Sequence, residues 1–218
     1  MKSVVLIYSG GLDSTVLLYD CLAQGIKVRT LSINYGQKHS KELLVAHETT
    51  TQLGIEHRCV DLSCLGKILN SSLTITHEEI PEGHYEAENM KATVVPNRNM
   101  ILLSIAAGWA ISTRSDAVAY GAHGGDHAIY PDCRESFADA LDKAIQLADW
   151  HPVTLWRPYV HLNKTDLVKK GMELGVPFAK TWSCYKGGHI HCGKCGTCRE
   201  RKEAFSLAGV YDPTTYAG

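Results

Sequence analysis

Apolar residues along this chain gather in short runs, separated by longer stretches in which apolar positions recur with helical spacing. Five runs have the length and residue types of buried strands, and they cover residues 4–8, 28–33, 58–62, 117–120 and 155–160. Five stretches have the period of amphipathic helices, and they cover residues 13–24, 40–53, 97–112, 133–148 and 164–174. Strand and helix therefore alternate along most of the chain.

This alternation predicts an α/β fold with a mostly parallel, Rossmann-like sheet and helices on both faces. Ligands bind beyond the carboxyl ends of the strands in such sheets, so chemistry is expected in the strand-to-helix loops. We divide the chain into an α/β domain at residues 1–180 and a C-terminal segment at residues 181–218, packed on it as one folding unit. Two stretches interrupt the alternation: residues 63–95, expected to form a polar loop or flap, and residues 182–201, rich in Gly, His and Cys.

Composition narrows the class of protein. The chain has 218 residues, 44% of them hydrophobic, which suffices for the core of one domain. Its formal net charge is −1, and acidic and basic residues are mixed along the chain. This pattern favours a small-molecule substrate over direct contact with nucleic acid. The first apolar run is too short for a signal peptide or a membrane span, so we expect a cytoplasmic protein.

The string SGGLDS at residues 9–14 directly follows the first predicted strand and precedes a helix. Two glycines allow the backbone to turn its N–H groups onto phosphate oxygens at the positive end of that helix. An ordinary Gly-Gly turn with a capped helix is the alternative reading. The full string resembles the SGGxDS loop of the ATP pyrophosphatase (PP-loop) superfamily, which implies an adenine nucleotide alpha hydrolase-like fold. The predicted ATP-binding residues are Tyr8, Ser9, Gly10, Gly11, Leu12, Asp13, Ser14 and Thr15.

Four of the eight cysteines crowd one short stretch of the C-terminal segment: Cys184, Cys192, Cys195 and Cys198. Four thiolates suit a tetrahedral zinc ion, and a complete four-Cys site leaves no open position for catalysis, so a structural zinc is favoured. His189 and His191 are candidate substitutes for one cysteine. A disulfide pair, an iron–sulfur cluster and a redox-active pair that carries sulfur are the competing interpretations.

Three further strings lie in predicted loops or at helix starts: YGQKH at residues 35–39, PNRN at 96–99 and YPDCR at 130–134. With the glycine loop and the cysteine cluster, they occur in the same order in 7-cyano-7-deazaguanine synthases, which the chain resembles from residue 4 to about residue 205. The resemblance implies a ligase that converts 7-carboxy-7-deazaguanine and ammonia to the nitrile and consumes two ATP. It also implies zinc on the four cysteines and a homodimer.

Roles for individual residues follow from their chemistry and from this resemblance. Asp13 is expected to cap the helix or to help hold Mg²⁺ with ATP. Arg98 is expected to neutralise phosphate charge or to bind the substrate carboxylate, and Lys38 or His39 to act likewise. Asp132 is expected to accept hydrogen bonds from the guanine-like edge of the substrate, or else to form a surface salt bridge. The predicted catalytic residues are Arg98, Asp13 and Lys38; the predicted substrate-binding residues are Asp132, Tyr130, Arg134, Asn99 and His39.

One stretch departs from the family pattern. Residues 126–129 read DHAI, where family members commonly carry Asp-x-Ser-Gly before the YPDCR string. This difference leaves open a relative that acts on another deazapurine or on a larger acceptor. Two alternatives from other classes also stay open at this point: a PP-loop enzyme that adenylates a tRNA base, and a non-catalytic nucleotide-binding protein whose zinc segment docks a partner.

Overall fold

The computed structural model describes residues 1–75 and 77–217, in which five strands alternate with six α-helices. In chain order these elements are β1 (Ser3–Ile7), α1 (Leu12–Ala23), β2 (Lys27–Asn34), α2 (Lys41–Gln52), β3 (Glu56–Asp61), α3 (Arg98–Ser112), β4 (Ala117–Ala119), α4 (Glu135–Gln146), β5 (Thr154–Trp156), α5 (Lys164–Glu173) and α6 (Gly196–Ala208). No helix in these ranges is long and apolar enough to cross a membrane.

All five strands are parallel and lie in the order β3-β2-β1-β4-β5, which confirms the predicted parallel sheet. The chain moves outward from β1 to β3 on one side and then from β4 to β5 on the other. The direction in which successive strands are added therefore reverses between β1 and β4. In α/β sheets, a ligand-binding crevice opens at such a switch point, beyond the carboxyl ends of the strands.

Strand β1 shows why helices cover both faces. Its side chains alternate between the faces, so that Val4 and Leu6 point to one side and Val5 to the other, and all three are fully buried. Helices α1, α5 and α6 pack on the Val4 side, and α3 and α4 pack on the Val5 side. Burial of each of these side chains contributes roughly 1.5–3 kcal/mol of transfer free energy.

The predicted last strand, residues 155–160, is too long. Strand β5 ends at Trp156, because Pro158 has no N–H to give to a sheet. The apolar residues beyond it are buried for another reason: Tyr159 packs under α1 and donates a hydrogen bond to Asp20 at 2.9 Å. The hydrophobic residues Tyr159 and Val160 therefore extended the predicted strand into a turn.

The expected flap at residues 63–95 is a loop that packs into the protein. It contains two 3-10 helices, Ser63–Lys67 and Glu88–Thr93, and it buries Leu73, Tyr85 and Met90 in the same core as α3 and α4. Its polar composition predicted the lack of regular structure but not this burial.

Helix α6 begins in the stretch at residues 182–201, which the sequence marked only as rich in Gly, His and Cys, and continues beyond it. Cys195 is its N-cap residue, and it ends at Gly209, whose φ of +69° is the left-handed conformation that closes many helices. Ala204 and Phe205 pack in the core with α1 and α5. The C-terminal segment thus shares the core with the rest of the chain.

Candidate functional site

A cavity of about 240 Å³ opens at the carboxyl ends of β1, β2 and β4, the edge at which the α/β pattern places ligands. Its wall is formed by the loop after β1, the loop after β2 with the start of α2, the loop between β3 and α3, the start of α3, the loop after β4, and residues in and around the cysteine cluster. Lys164, the first residue of α5, also lines the cavity, next to the glycine loop.

The glycine loop packs tightly against α2 and leads directly into α1. Gly10 has a φ of +73°, and a Cβ atom there would lie 2.8 Å from the Glu42 carbonyl oxygen and 2.9 Å from the Ala46 nitrogen. Only glycine fits between the loop and α2. Gly11 is the N-cap of α1 and provides no side-chain cap, so the first N–H groups of this helix are free to bind an anion in the cavity.

Substitution of Gly10 by alanine tests this packing. The sequence predicts ATP at this loop, and we expect Gly10→Ala to weaken that binding about tenfold or more, because the methyl group must displace either the loop or the backbone of α2. Gly25→Ala is the matched control, since Gly25 has a φ of +68° but nothing within 4 Å of the added Cβ. The control should lose only the roughly 1–2 kcal/mol of left-handed strain. Calorimetric ATP titration and thermal unfolding of both variants would show whether their losses differ as expected.

Charged side chains form a network beneath the glycine loop. Lys164 Nζ lies 2.7 Å from Glu200 Oε2 and 3.3 Å from Asp13 Oδ2. Tyr85 donates a hydrogen bond to Asp126 Oδ1 at 2.8 Å. Burial lowers the pKa of Lys164, but the carboxylates of Asp13, Glu200 and Asp126 outweigh burial and raise that pKa above its usual value. Lys164 therefore stays positively charged at the wall of the cavity.

His123 completes this network from its buried side. Its ring is fully buried, and Nδ1 accepts a hydrogen bond from the Gly125 N–H at 3.1 Å. In the neutral ring the proton then resides on Nε2, which faces Asp13, Asp126 and Glu200 at 3.7–3.9 Å. The histidine thus directs a polar N–H toward the carboxylates.

The sequence prediction missed Lys164, Glu200, His123 and Tyr85. One signal for Lys164 was present: Asn163 and Asp166 form a capping box, which fixes Lys164 as the first residue of α5. A lysine at the start of the helix that follows a strand lies at the ligand-binding edge of an α/β sheet. The other three come from distant parts of the chain, and no local pattern marked them.

A second group of polar side chains surrounds Arg98, the first residue of α3. Its guanidinium lies 5.8 Å from the ring centre of Tyr35, and no carboxylate of the described residues lies within 4.0 Å of it. A guanidinium without a protein anion, on the wall of a cavity, is suited to an anionic ligand. Glu42 lies near it; burial raises the Glu42 pKa to about 7, while Arg98 and a hydrogen bond from Gln37 act in the opposite direction.

The structure brings most of the predicted site residues to one cavity. Those on its wall are Tyr8, Ser9, Gly11, Leu12, Asp13, Ser14, Lys38, His39, Arg98, Asn99 and Tyr130. Gly10 and Thr15 lie behind the wall and shape the loop; the Thr15 hydroxyl, for example, donates to the Gly11 carbonyl at 2.7 Å. Lys38 extends its Nζ to the carbonyl of Glu78.

Two predicted substrate residues, Asp132 and Arg134, lie outside the cavity wall. The Asp132 carboxylate accepts a hydrogen bond from the Asn99 N–H at 2.9 Å and so satisfies a free donor at the start of α3. Arg134 is exposed, and its Nε donates to the His127 carbonyl at 3.0 Å. Both side chains therefore make contacts within the protein, and their predicted contact with substrate stays a prediction.

The atypical stretch at residues 126–129 contributes one side chain to the cavity, Asp126. Ile129 points into the core, Ala128 is exposed, and neither they nor His127 line the cavity. The residues that depart from the family pattern therefore lie mainly behind the cavity wall and do not line it.

The four clustered cysteines have the geometry of a metal site. Their sulfur atoms all lie within 4.8 Å of one another, and the Cys192 and Cys198 sulfurs are 3.9 Å apart. Tetrahedral zinc with bonds of ~2.3 Å would separate neighbouring sulfurs by about 3.8 Å. Backbone N–H groups of Cys192 and Cys195 donate to cluster sulfurs at 3.3 Å, which stabilises thiolate charge. The cluster can hold a metal ion.

The two candidate histidines have other roles. His191 Nε2 accepts a hydrogen bond from the Ser183 N–H at 3.1 Å, and its ring packs on Trp182 with 4.2 Å between ring centres. Burial lowers the pKa of His191 to about 4, so it is a neutral acceptor. Lys41 Nζ lies 3.8 Å from the ring centre of Trp182 and donates a hydrogen bond to the His189 carbonyl at 2.6 Å. All eight cysteines are free thiols, so the structure contains no disulfide pair.

Comparison with known proteins gives concordant matches. Residues 3–209 match the family model described as "Queuosine biosynthesis protein QueC". A 7-cyano-7-deazaguanine synthase of Methanoregula boonei is 53% identical over 216 residues, covering 99% of each chain. Another from Caldicellulosiruptor bescii is 52% identical over 216 residues, covering 99% of this chain and 97% of the relative.

Solved structures that resemble this protein have distant sequences, so the similarity shows only that the fold is shared. A predicted subunit of tRNA methyltransferase from Methanocaldococcus jannaschii gives a TM-score of 0.52 at 18% identity, covering 79% of this chain and 75% of the other. An NMN synthetase from Francisella tularensis gives 0.51 at 15% identity, covering 96% and 78%. The family model matches nearly the whole chain, and relatives with about half of their residues identical cover it almost completely. This protein therefore belongs to the QueC family of queuosine biosynthesis proteins.

Proposed function

We propose that this protein converts 7-carboxy-7-deazaguanine and ammonia to 7-cyano-7-deazaguanine, with ATP as the activating substrate. The observation that carries the proposal is the cavity itself, which joins the glycine loop to Arg98, a guanidinium with no carboxylate of the described residues within 4.0 Å. One wall is suited to the phosphates of ATP, and another to the carboxylate that must attack them. The family relationship supplies the identity of the substrate.

In the first round, a carboxylate oxygen of the substrate attacks the α-phosphorus of ATP, and pyrophosphate leaves. The N–H groups at the start of α1 and the charge of Lys164 stabilise the negative charge that develops on the phosphate oxygens. Arg98 orients the carboxylate, and no residue has to form a covalent bond, because ATP provides the activation. Ammonia then displaces AMP from the acyl adenylate, with loss of one proton, to give the amide.

In the second round, the amide oxygen attacks a second ATP in the same way. This makes the oxygen a leaving group, and loss of AMP together with both protons of the amide nitrogen yields the nitrile. The carboxylate and the amide present their attacking oxygen at the same position of the heterocycle, so one cavity serves both rounds.

Magnesium bound with ATP would neutralise phosphate charge. Asp13 fits a role in holding it, because its Oδ1 atom is buried without a hydrogen-bond partner in the structure. The same carboxylate lies on the cavity wall at the start of α1, beside the expected phosphates.

The ion on the four cysteines is proposed to be structural zinc. Cys184, a member of the cluster, and Thr197, the residue of α6 directly before Cys198, both lie on the cavity wall. The metal would thus fix a part of the wall. The cytoplasmic location, the homodimer and the absence of nucleic-acid contacts that the sequence suggested also belong to this proposal.

The test of the proposed function is a direct assay. Purified protein is incubated with ATP, Mg²⁺, ammonium and 7-carboxy-7-deazaguanine, and the products are followed by liquid chromatography with mass detection. Formation of nitrile and AMP is the expected result. Amide alone would contradict the second round, and no consumption of ATP would overturn the proposal in favour of another acceptor or a binding protein.

Removal of the metal should unfold the C-terminal segment. Structural zinc contributes on the order of 10 kcal/mol to the folding of small Cys-rich sites, so we expect Cys198→Ser to lose the metal, to melt at lower temperature and to lose activity. Cys59→Ser is the matched control, because Cys59 is an exposed free thiol outside the cluster. Metal analysis should find one zinc per chain in the wild type and the control. Iron in its place, or a fully active metal-free protein, would contradict the assignment.

A further inference from the structure

Three carboxylates line the cavity in the part of the chain that the structure describes: Asp13, Asp126 and Glu42. The first two belong to the network beneath the glycine loop, where Lys164, His123 and Tyr85 surround them. Glu42 stands apart from this network, in the first turn of α2. Among the carboxylates on the described part of the wall, only Glu42 lies outside the network beneath the glycine loop.

The contacts of Glu42 leave its carboxylate available. Its Oε1 accepts one side-chain hydrogen bond, from Gln37 Nε2 at 3.3 Å, and no cation of the described residues lies within 4.0 Å. Gln37 is itself held, since its Oε1 accepts the Tyr35 N–H at 2.9 Å. The glutamine therefore fixes the orientation of Glu42 and leaves acceptor positions free for a ligand.

Glu42 and Arg98 give this half of the cavity one negative and one positive group. A guanine-like heterocycle with a carboxylate substituent has the matching groups: an anion at one side, and the adjacent N1–H and 2-amino donors at the other. A carboxylate accepts two parallel N–H donors in a bidentate pair. Tyr35, Tyr130 and Tyr185 also line the cavity and supply aromatic faces for a planar ligand.

We propose that Glu42 recognises the N1–H and 2-amino edge of the substrate, with Gln37 positioning its carboxylate. This inference rests on the proposed function, because it takes the deazaguanine substrate from there. It assigns to Glu42 the role that the sequence suggested for Asp132, whose carboxylate is instead engaged at the start of α3. The competing explanation is that Glu42 only stabilises α2, as an acidic residue in the first turn of the helix.

The test compares two substrates on two enzymes. Wild type and Glu42→Gln are assayed with 7-carboxy-7-deazaguanine and with the analogue that lacks the 2-amino group. A site built around a buried hydrogen bond discriminates strongly, so we expect the wild type to prefer the amino compound by about 100-fold or more in kcat/KM. In Glu42→Gln this preference should fall below about fivefold, because an amide cannot accept both N–H donors.

The control variant is Glu48→Gln, an exposed glutamate on the same helix, which should discriminate like the wild type. The KM for ATP should stay within about twofold in both variants. A second variant, Gln37→Leu, removes the positioning hydrogen bond and should reduce the preference about five- to tenfold while the carboxylate remains.

The outcomes separate the two proposals. If the wild type converts neither compound, the proposed function fails. If the wild type converts the amino compound and Glu42→Gln keeps the full preference, the inference about Glu42 is overturned and the proposed function stands. If Glu42→Gln does not fold, the preference of Gln37→Leu decides in the same way: an unchanged preference overturns the inference.

Discussion

Replacing Lys164 by methionine is expected to lower kcat/KM by about 10²–10³-fold, the loss seen when one fixed charge or donor is removed from a developing oxyanion. The glycine loop has no lysine of its own, unlike the phosphate loop of Walker-type proteins. Lys164 provides a positive charge beside it, with a side chain only 12% exposed. The measurement is the steady-state rate of AMP formation at varied ATP.

Two further variants separate catalysis from stability. Lys169→Met removes an exposed lysine from the same helix and should leave the rate unchanged. Lys164→Met also leaves Glu200 without its closest partner, 2.7 Å away, and this unpaired buried charge lowers stability. In Lys164→Met/Glu200→Gln the stability should recover and the rate should not. A single variant Lys164→Met within tenfold of the wild-type rate would contradict the role in phosphate binding.

The parts of this molecule that the sequence predicted are those set by local patterns. A central parallel strand is buried on both faces, so β1 appears in the sequence as an unbroken apolar run at residues 4–7. The glycine loop was predicted because its neighbours in sequence are also its neighbours in space. The cysteine cluster was predicted for the same reason, since three of its four ligands fall within seven residues.

The missed parts depend on contacts between distant residues. Glu200 meets Lys164 across 36 positions of sequence, and alone each resembles an ordinary solvated charge at a helix surface. Glu42 and Asp132 are both carboxylates near a helix start. Only the fold decides that Glu42 faces the cavity and that the Asp132 carboxylate is engaged with the N–H of Asn99.

Helix α6 was missed for a different reason. Its first turn carries the last cysteine of the cluster, and glycines and cysteines in that stretch obscured the helical period that follows. The structure shows that the helix and the cluster are one unit: Cys195 caps α6, and Cys198 lies one turn further along. Metal binding and helix formation at this point are therefore expected to support each other.

Replacing Arg201 by methionine is expected to destabilise the protein by about 3–5 kcal/mol, the cost of breaking a buried ionic network from one side. Arg201 lies on α6 with a side chain 1% exposed. Its guanidinium donates to Thr181 Oγ1 at 2.7 Å and to the Phe178 carbonyl at 2.9 Å, and it lies 3.4 Å from Asp212 Oδ1. Methionine fills similar volume but satisfies none of these acceptors. Urea unfolding of the variant and of Arg199→Met, an exposed neighbour, gives the difference.

Arg201 and the cysteine cluster connect the same two parts of the chain. Arg201 joins α6 to residues 178–183, and the cluster joins α6 to Cys184, the next residue. If both connections stabilise one cooperative unit, Arg201→Met should cost less in a protein that has already lost its metal through Cys198→Ser, because α6 is then partly released. A double-mutant cycle of the two substitutions measures this coupling, expected at about 1–3 kcal/mol for groups that share a unit. Strict additivity would show that the metal and Arg201 stabilise this segment independently, and that α6 keeps its position without the metal.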